Sequence, residues 1–153
     1  MKRNFIGYGK EKPKILWPQE NKIAVSFVVN IEEGAELSIS SGDSQNEHVY
    51  ENNKIKILDN PDLCMESHFE YGLRSGIWRI FDVFDKYNIK ATFSCCSLAL
   101  ENSPWLIDEI LTRNHEISAH GVKWISHAYL KKEEEKQIIN DCYSSILKLS
   151  GHP

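Results

Sequence analysis

Two hydrophobic periods alternate along the chain. The run Ala24-Val25-Ser26-Phe27-Val28-Val29-Asn30-Ile31 is dense in β-branched and apolar residues and predicts a first strand over about residues 22–31. Its near-continuous apolar character is that of a strand buried on both faces, as in a parallel α/β sheet. It runs straight into Glu32-Glu33-Gly34. Carboxylates there belong either in water, as strand-end caps, or at the mouth of the sheet, where α/β folds place ligands. From Leu37 to Asp62 the chain turns polar and aperiodic, which predicts a long surface loop. Helical spacing returns with Leu73, Ile77, Ile80, Phe81, Phe84 and Tyr87, and Asn88 suits the left-handed residue that ends a helix. Ile89–Cys95 reads as a second strand. Ser103-Pro104 predicts a hydroxyl-capped helix through Trp105, Leu106, Ile110 and Leu111 that stops near Asn114. His115–Ala119 reads as a third strand. A last helix over about 131–149 carries Ile138, Cys142, Ile146 and Leu149 on one face.

Strands alternating with helices imply a parallel sheet with right-handed crossovers. Three such strands leave two open edges, which complete domains usually avoid. The expectation is an α/β chain that forms the front part of a larger unit, with Gly151-His152-Pro153 as a helix stop. Residues 1–21, with Gly7, Gly9, Pro13 and Pro18, read as an irregular arm tied down by Phe5, Tyr8 and Trp17. The domain portion is then 22–153.

Composition narrows the partners. A chain of 153 residues is the size of one domain, and a formal net charge of -4 with 26% charged residues speaks against a nucleic-acid binder. No segment has the length and apolarity of a signal peptide core or a membrane span, so a soluble cytoplasmic protein is expected, with no membrane partner. Cys64, Cys95, Cys96 and Cys142 show no CxxC spacing and are expected as reduced, mostly buried thiols.

The third strand brings a second polar cluster, Glu116-Ile117-Ser118-Ala119-His120-Gly121-Val122-Lys123-Trp124-Ile125-Ser126-His127. Parallel strands end at the same edge, so Glu32, Glu33 and His120 are expected to converge. Carboxylates beside an imidazole can bind a metal or run acid/base chemistry on a water.

Three motifs in order, Asn30-Ile31-Glu32-Glu33-Gly34, Met65-Glu66 with Tyr71-Gly72-x-Arg74-x-Gly76-x-Trp78-Arg79, and Glu116-Ile117-x-x-His120-Gly121-x-Lys123-Trp124, resemble the polysaccharide deacetylase (NodB-homology) family. Within it they look closest to the allantoinase-like and peptidoglycan-deacetylase-like subgroup. The resemblance implies a distorted (β/α) barrel, here incomplete after its third main strand, and hydrolysis of non-peptide carbon–nitrogen bonds in carbohydrate metabolism. It implies that Glu32 is the general base, that Glu33 is a metal ligand, that His120 is a catalytic residue positioning substrate or metal, and that Glu66, Tyr71 and Arg74 border the site; Lys123 and Trp124 are expected to line the substrate pocket. Trp124 stands where the family's second histidine belongs, and His127 lies three residues beyond it. One His and one Glu fall short of the three ligands of catalytic zinc, so a divalent metal such as zinc and metal-independent chemistry both stay open. The family's later motifs, which bring an arginine, an aspartate and a last histidine, would lie past Pro153. Three expectations follow: a hydrolase of a small amide, ureide or N-acetylated sugar; an inactive remnant or binding module; or half of a split amidohydrolase that self-associates or recruits a partner chain with the remaining half.

Overall fold

Asp62 starts the first helix, its carboxylate accepting the Met65 N–H at 3.1 Å and so satisfying a donor that the opening turn cannot. A computed structural model describes residues 3–49 and 56–151. In it, helix α1 (Leu63–Tyr71) passes through a π-helical turn, Gly72–Gly76, into α2 (Ile77–Tyr87). The apolar stripe read from Leu73 onward therefore spans the π turn and α2, and it buries Ile77, Phe81 and Phe84. Asn88 closes α2 in the left-handed region at φ 49°, as expected.

Strand β1 (Val28–Ile31) pairs in parallel with β2 (Thr92–Cys95), and β2 with β3 (Glu116–Ala119), in the order β1-β2-β3. Helices α3 (Ser97–Asn102) and α4 (Trp105–Thr112) connect β2 to β3, and α5 (Lys132–Ser150) follows β3. The short α3 was not legible in the sequence, and it changes the start of α4. Ser103 sits at the junction at φ -135°, its carbonyl accepting the Leu106 N–H at 3.0 Å, so the expected hydroxyl cap is not made. In α5, Glu134 reaches back to the Lys131 N–H at 2.7 Å, and Gly151 ends the helix at φ 70°. His152 and Pro153, the rest of the expected stop, lie outside the described residues.

The sheet has two different faces. Val29, Ile31, Phe93, Cys95 and Ile117 face the helices and join a core with Phe81, Leu100, Leu106, Ile110, Cys142 and Ile146. The alternate residues, Val28, Asn30, Thr92, Ser94, Glu116 and Ser118, are polar except for Val28, which is 58% exposed. This corrects two expectations. The first strand is shorter than residues 22–31, and it is buried on one face only. An apolar run reports that burial is wanted, not that two layers supply it. The arm is irregular, with one 3₁₀ turn at Pro18–Glu20, but Phe5 and Tyr8 are 77% and 78% exposed and do not tie it down; Trp17 is also exposed. The polar loop is more ordered than a surface excursion. Ser38 and Asn46 are buried, and the Asn46 amide donates to Ile57 O at 3.0 Å and Asn60 O at 2.8 Å; residues 50–55 of this loop lie outside the described set.

His115, just before β3, is buried among Phe81, Phe84 and Phe93, whose ring centroids lie 6.1, 5.7 and 5.1 Å from its own. Its Nδ1 accepts the Ala91 N–H at 3.2 Å, which leaves the proton on Nε2. Burial pushes its pKa below the ordinary 6.5; Lys90 and Arg113 act in the same direction, and Asp85 opposes them. The unfolded chain then takes up the proton first. His115 contributes stability above pH 6.5 that is lost as pH falls through its folded midpoint. A histidine NMR titration should give His115 a midpoint below 6.5. Urea unfolding at pH 7.5 and 5.5 should show a smaller loss of stability on acidification in His115→Phe than in the parent.

Candidate active site

Register places three strand ends in one row. Ile31 pairs with Cys95 and Cys95 with Ala119, so the next residues, Glu32, Cys96 and His120, stand side by side at the C-terminal edge. His120 Nε2 lies 2.9 Å from Glu32 Oε1, the two side chains being 34% and 17% exposed. An ionised Glu32 selects the tautomer in which Nε2 carries the proton.

Backbone contacts fix both partners. The His120 N–H donates to Cys95 O at 2.8 Å, and the Cys96 thiol donates to His120 O at 3.4 Å. The next carbonyl, that of Gly121, accepts from Ser97 N at 3.0 Å and from the Cys142 thiol at 3.0 Å. These thiols stay protonated. Burial and the neighbouring Glu32 charge push Cys96 up to about 12, and burial also raises Cys95 and Cys142. On the other side, Glu32 O accepts the Ala35 N–H at 2.8 Å across a turn whose third residue, Gly34, has φ 83°. The turn is anchored twice, by Trp124 N donating to Ala35 O at 2.9 Å and by the Asn102 amide donating to Gly34 O at 3.0 Å.

Glu33 does not join the pair. Its Oε2 accepts the Glu32 N–H at 3.1 Å, and its side chain lies over Gly72. Burial raises its pKa, with Glu32 and Glu36 adding to the effect. It lines a cavity of about 320 Å³ with Glu36, Ser38, Glu66, Arg74 and Asn102. His120 lines a different cavity, of about 430 Å³, with Trp124, Ile125, His127, Ile139 and Cys142. Glu33 and His120, expected as a pair of metal ligands, line different cavities, and one Glu33 carboxylate oxygen is turned to the backbone N–H before it. Among the described residues, no three His, Cys, Asp or Glu side chains are grouped as a metal ion would need. The donor set does not fit a catalytic zinc.

The remaining predicted residues are spread around this centre. Glu66 accepts the Ser38 hydroxyl at 2.7 Å. Arg74 pairs with Glu70 at 2.8 Å on an exposed surface. Tyr71 is exposed, with the Arg79 guanidinium 5.9 Å from its ring centroid. Lys123 Nζ is bound to Asp43 at 2.5 Å. Trp124 packs edge-on against Phe69 with centroids 6.4 Å apart, one side of its indole facing the cavity that His120 lines. His127 does come back to that cavity, held by Glu135 Oε1 at 3.3 Å. Cys96, Cys142 and Asp43 were not read as site residues. For Cys96 a signal existed, since it directly follows an apolar strand; Cys142 and Asp43 act from separate elements.

The chain is thus an α/β protein whose parallel sheet carries a carboxylate–imidazole pair at its strand ends. The polysaccharide deacetylase family model matches residues 59–153, and the chain belongs to that family. It is 34% identical over 137 residues to a Schizosaccharomyces pombe protein named "Putative polysaccharide deacetylase", covering 88% of this chain and 43% of that one. Crystal structures of Puue allantoinase and of a "probable Polysaccharide deacetylase" from Pseudomonas aeruginosa PAO1 both superpose with a TM-score of 0.90, at 32% and 31% identity. Each match covers 99% of this chain and 51% of the other, so the chain spans about half the length of these relatives. Among the described residues, no helix is long and apolar enough to cross a membrane.

The Lys123–Asp43 pair ties the loop after β3 to the loop after β1, and Asp43 also accepts the Ser38 N–H at 2.8 Å. Lys123→Met strands that carboxylate with one partner fewer. Urea unfolding should show a loss of about 1–3 kcal/mol. Asp43→Asn in the same chain should recover part of it.

Proposed function

We propose that this chain carries the general-base part of a hydrolytic site for linear amide carbon–nitrogen bonds, acting on a small amide, a ureide or an N-acetylated sugar. The observation that supports this reading best is the 2.9 Å contact between Glu32 and His120. Membership of the deacetylase family and likeness to an allantoinase structure supply the bond class. Residues 22–153 form the deacetylase-like portion in this reading, and residues 1–21 an arm outside it. A reducing, cytoplasmic setting suits four free cysteines.

The chemistry follows from the pair. His120 occupies Glu32 Oε1, which leaves Oε2 to take a proton from a water. The water oxygen bonds to the carbonyl carbon, the C–N bond breaks, and the proton leaves on the departing nitrogen. His120 holds the carboxylate in one orientation through the Nε2–H hydrogen bond. Its ring also faces the cavity bordered by Trp124, whose indole offers a flat surface and an N–H donor to a substrate. No step requires a metal.

Glu32→Gln keeps size and removes the base. On N-acetylated sugar oligomers and on a ureide, kcat should fall at least ~100-fold. Circular dichroism should show the fold retained. Turnover equal to that of the parent removes Glu32 from the mechanism.

A further inference from the structure

Glu32 is the last residue before the chain turns, and its backbone has lost the support of the sheet. Along a parallel strand, successive residues direct their N–H and C=O groups alternately to the two sides. Ile31 O accepts the Cys96 N–H at 2.9 Å, so Ile31 faces β2 and Glu32 faces away from it. Among the described residues no strand lies on that side. Two local bonds take the place of a ladder: Ala35 N–H donates to Glu32 O at 2.8 Å, and Glu32 N–H donates to Glu33 Oε2 at 3.1 Å. Both groups of one residue are thereby tied, and its side chain emerges in the direction of His120.

The Glu33 carboxylate that accepts this N–H lies against Gly72. A Cβ on Gly72 would sit 2.0 Å from Glu33 Oε1, 2.8 Å from Cδ and 2.9 Å from Cγ, so any side chain there would displace the Glu33 carboxylate. Gly72 opens the π-helical turn between α1 and α2, and π turns occur often at functional sites. The glycine is helical, so its requirement is space, not conformation.

We infer that Glu33 is a positioning residue, seated in the gap at Gly72, whose carboxylate fixes the Glu32 backbone so that Glu32 meets His120, in place of binding a metal. This rests on the Glu32–His120 reading above, and it makes Gly72 a specificity-free support of the same device. Glu33→Gln retains an acceptor oxygen for the Glu32 N–H; Glu33→Ala does not. Gly72→Ala expels the side chain without touching the pair.

The test reads the pair directly. Ring ¹⁵N and Cε1–H NMR signals of His120 are recorded in the parent, in Glu32→Gln as the reference for a lost pair, and in the three variants, with folding checked by circular dichroism. Glu33→Ala and Gly72→Ala should move His120 toward its Glu32→Gln position, while Glu33→Gln stays with the parent. In turnover, Glu33→Ala should lower kcat up to ~100-fold with little change in KM, as misplacement of a reacting group does. His120 signals unmoved in Glu33→Ala overturn the inference, as does Glu33→Gln behaving like Glu33→Ala. Zn²⁺ binding by the parent in calorimetry that both Glu33 variants abolish also overturns it. Should Gly72→Ala fail to fold, the two Glu33 variants still decide. An inert Glu32→Gln substitution in the turnover assay refutes the catalytic reading alone, because the NMR comparison needs no turnover.

Discussion

Strand register is the constraint on which the site depends. Glu32 and His120 are 88 residues apart in the chain and meet because Ile31, Cys95 and Ala119 are aligned across three parallel strands. Side chains on a strand alternate strictly, so slipping β1 or β3 by a single residue would turn one member of the pair into the helix-covered core. The core forbids the slip. Phe93 and Ile31 are fully buried on the helix side, and the opposite face offers Asn30, Ser94 and Ser118, which gain nothing from burial. The hydrophobic effect thus fixes a polar contact in which it takes no direct part.

The end of the middle strand and helix α5 hold the backbone around His120 with groups that carry no charge. Cys96 sits between Glu32 and His120, and its thiol donates to the His120 carbonyl while Cys142 donates to the Gly121 carbonyl. A thiolate at either place would be an acceptor facing an acceptor, and at Cys96 it would also repel Glu32. Burial prevents this by disfavouring the anion, and the Glu32 charge adds to that at Cys96. The cysteines serve here as small apolar residues with a weak donor, not as nucleophiles.

Much of this architecture was legible in the sequence, for identifiable reasons. The parallel order follows from strands alternating with helices, and Asn88 marked a helix end because only a few side chains tolerate a positive φ. The meeting of Glu32 with His120 followed from the rule that parallel strands end at one edge. What escaped depended on residues far apart. The direction of Glu33 is set by space left at Gly72, which nothing in the local sequence around Glu33 discloses. Gly72 and Gly76 weaken the helix signal where α1 in fact continues into α2 through a π turn. Val25, Phe27 and Val28 look like core because they are apolar, yet a sequence cannot say which layer covers a strand.

The two faces of the sheet also constrain what the site can be. Helices seal one side, and the Glu32–His120 pair stands at the rim of the other, above rows pairing Asn30, Ser94 and Ser118, then Thr92 and Glu116. Thr92 and Glu116 already engage each other through a 2.5 Å hydrogen bond. Asn30, Ser94 and Ser118 sit one row nearer the pair, and all three carry side-chain donors. An oxyanion formed by attack on a carbonyl needs such donors, and in a dry site each contributes far more than it does in water. An open polar face holds its donors in bulk water, where they compete poorly. The contacts described for Glu32 and His120 come from the strand ends and the turn after β1. As the base proposed above, the pair depends for its power on whether the polar face beside it is enclosed, because desolvation governs the strength of oxyanion donors.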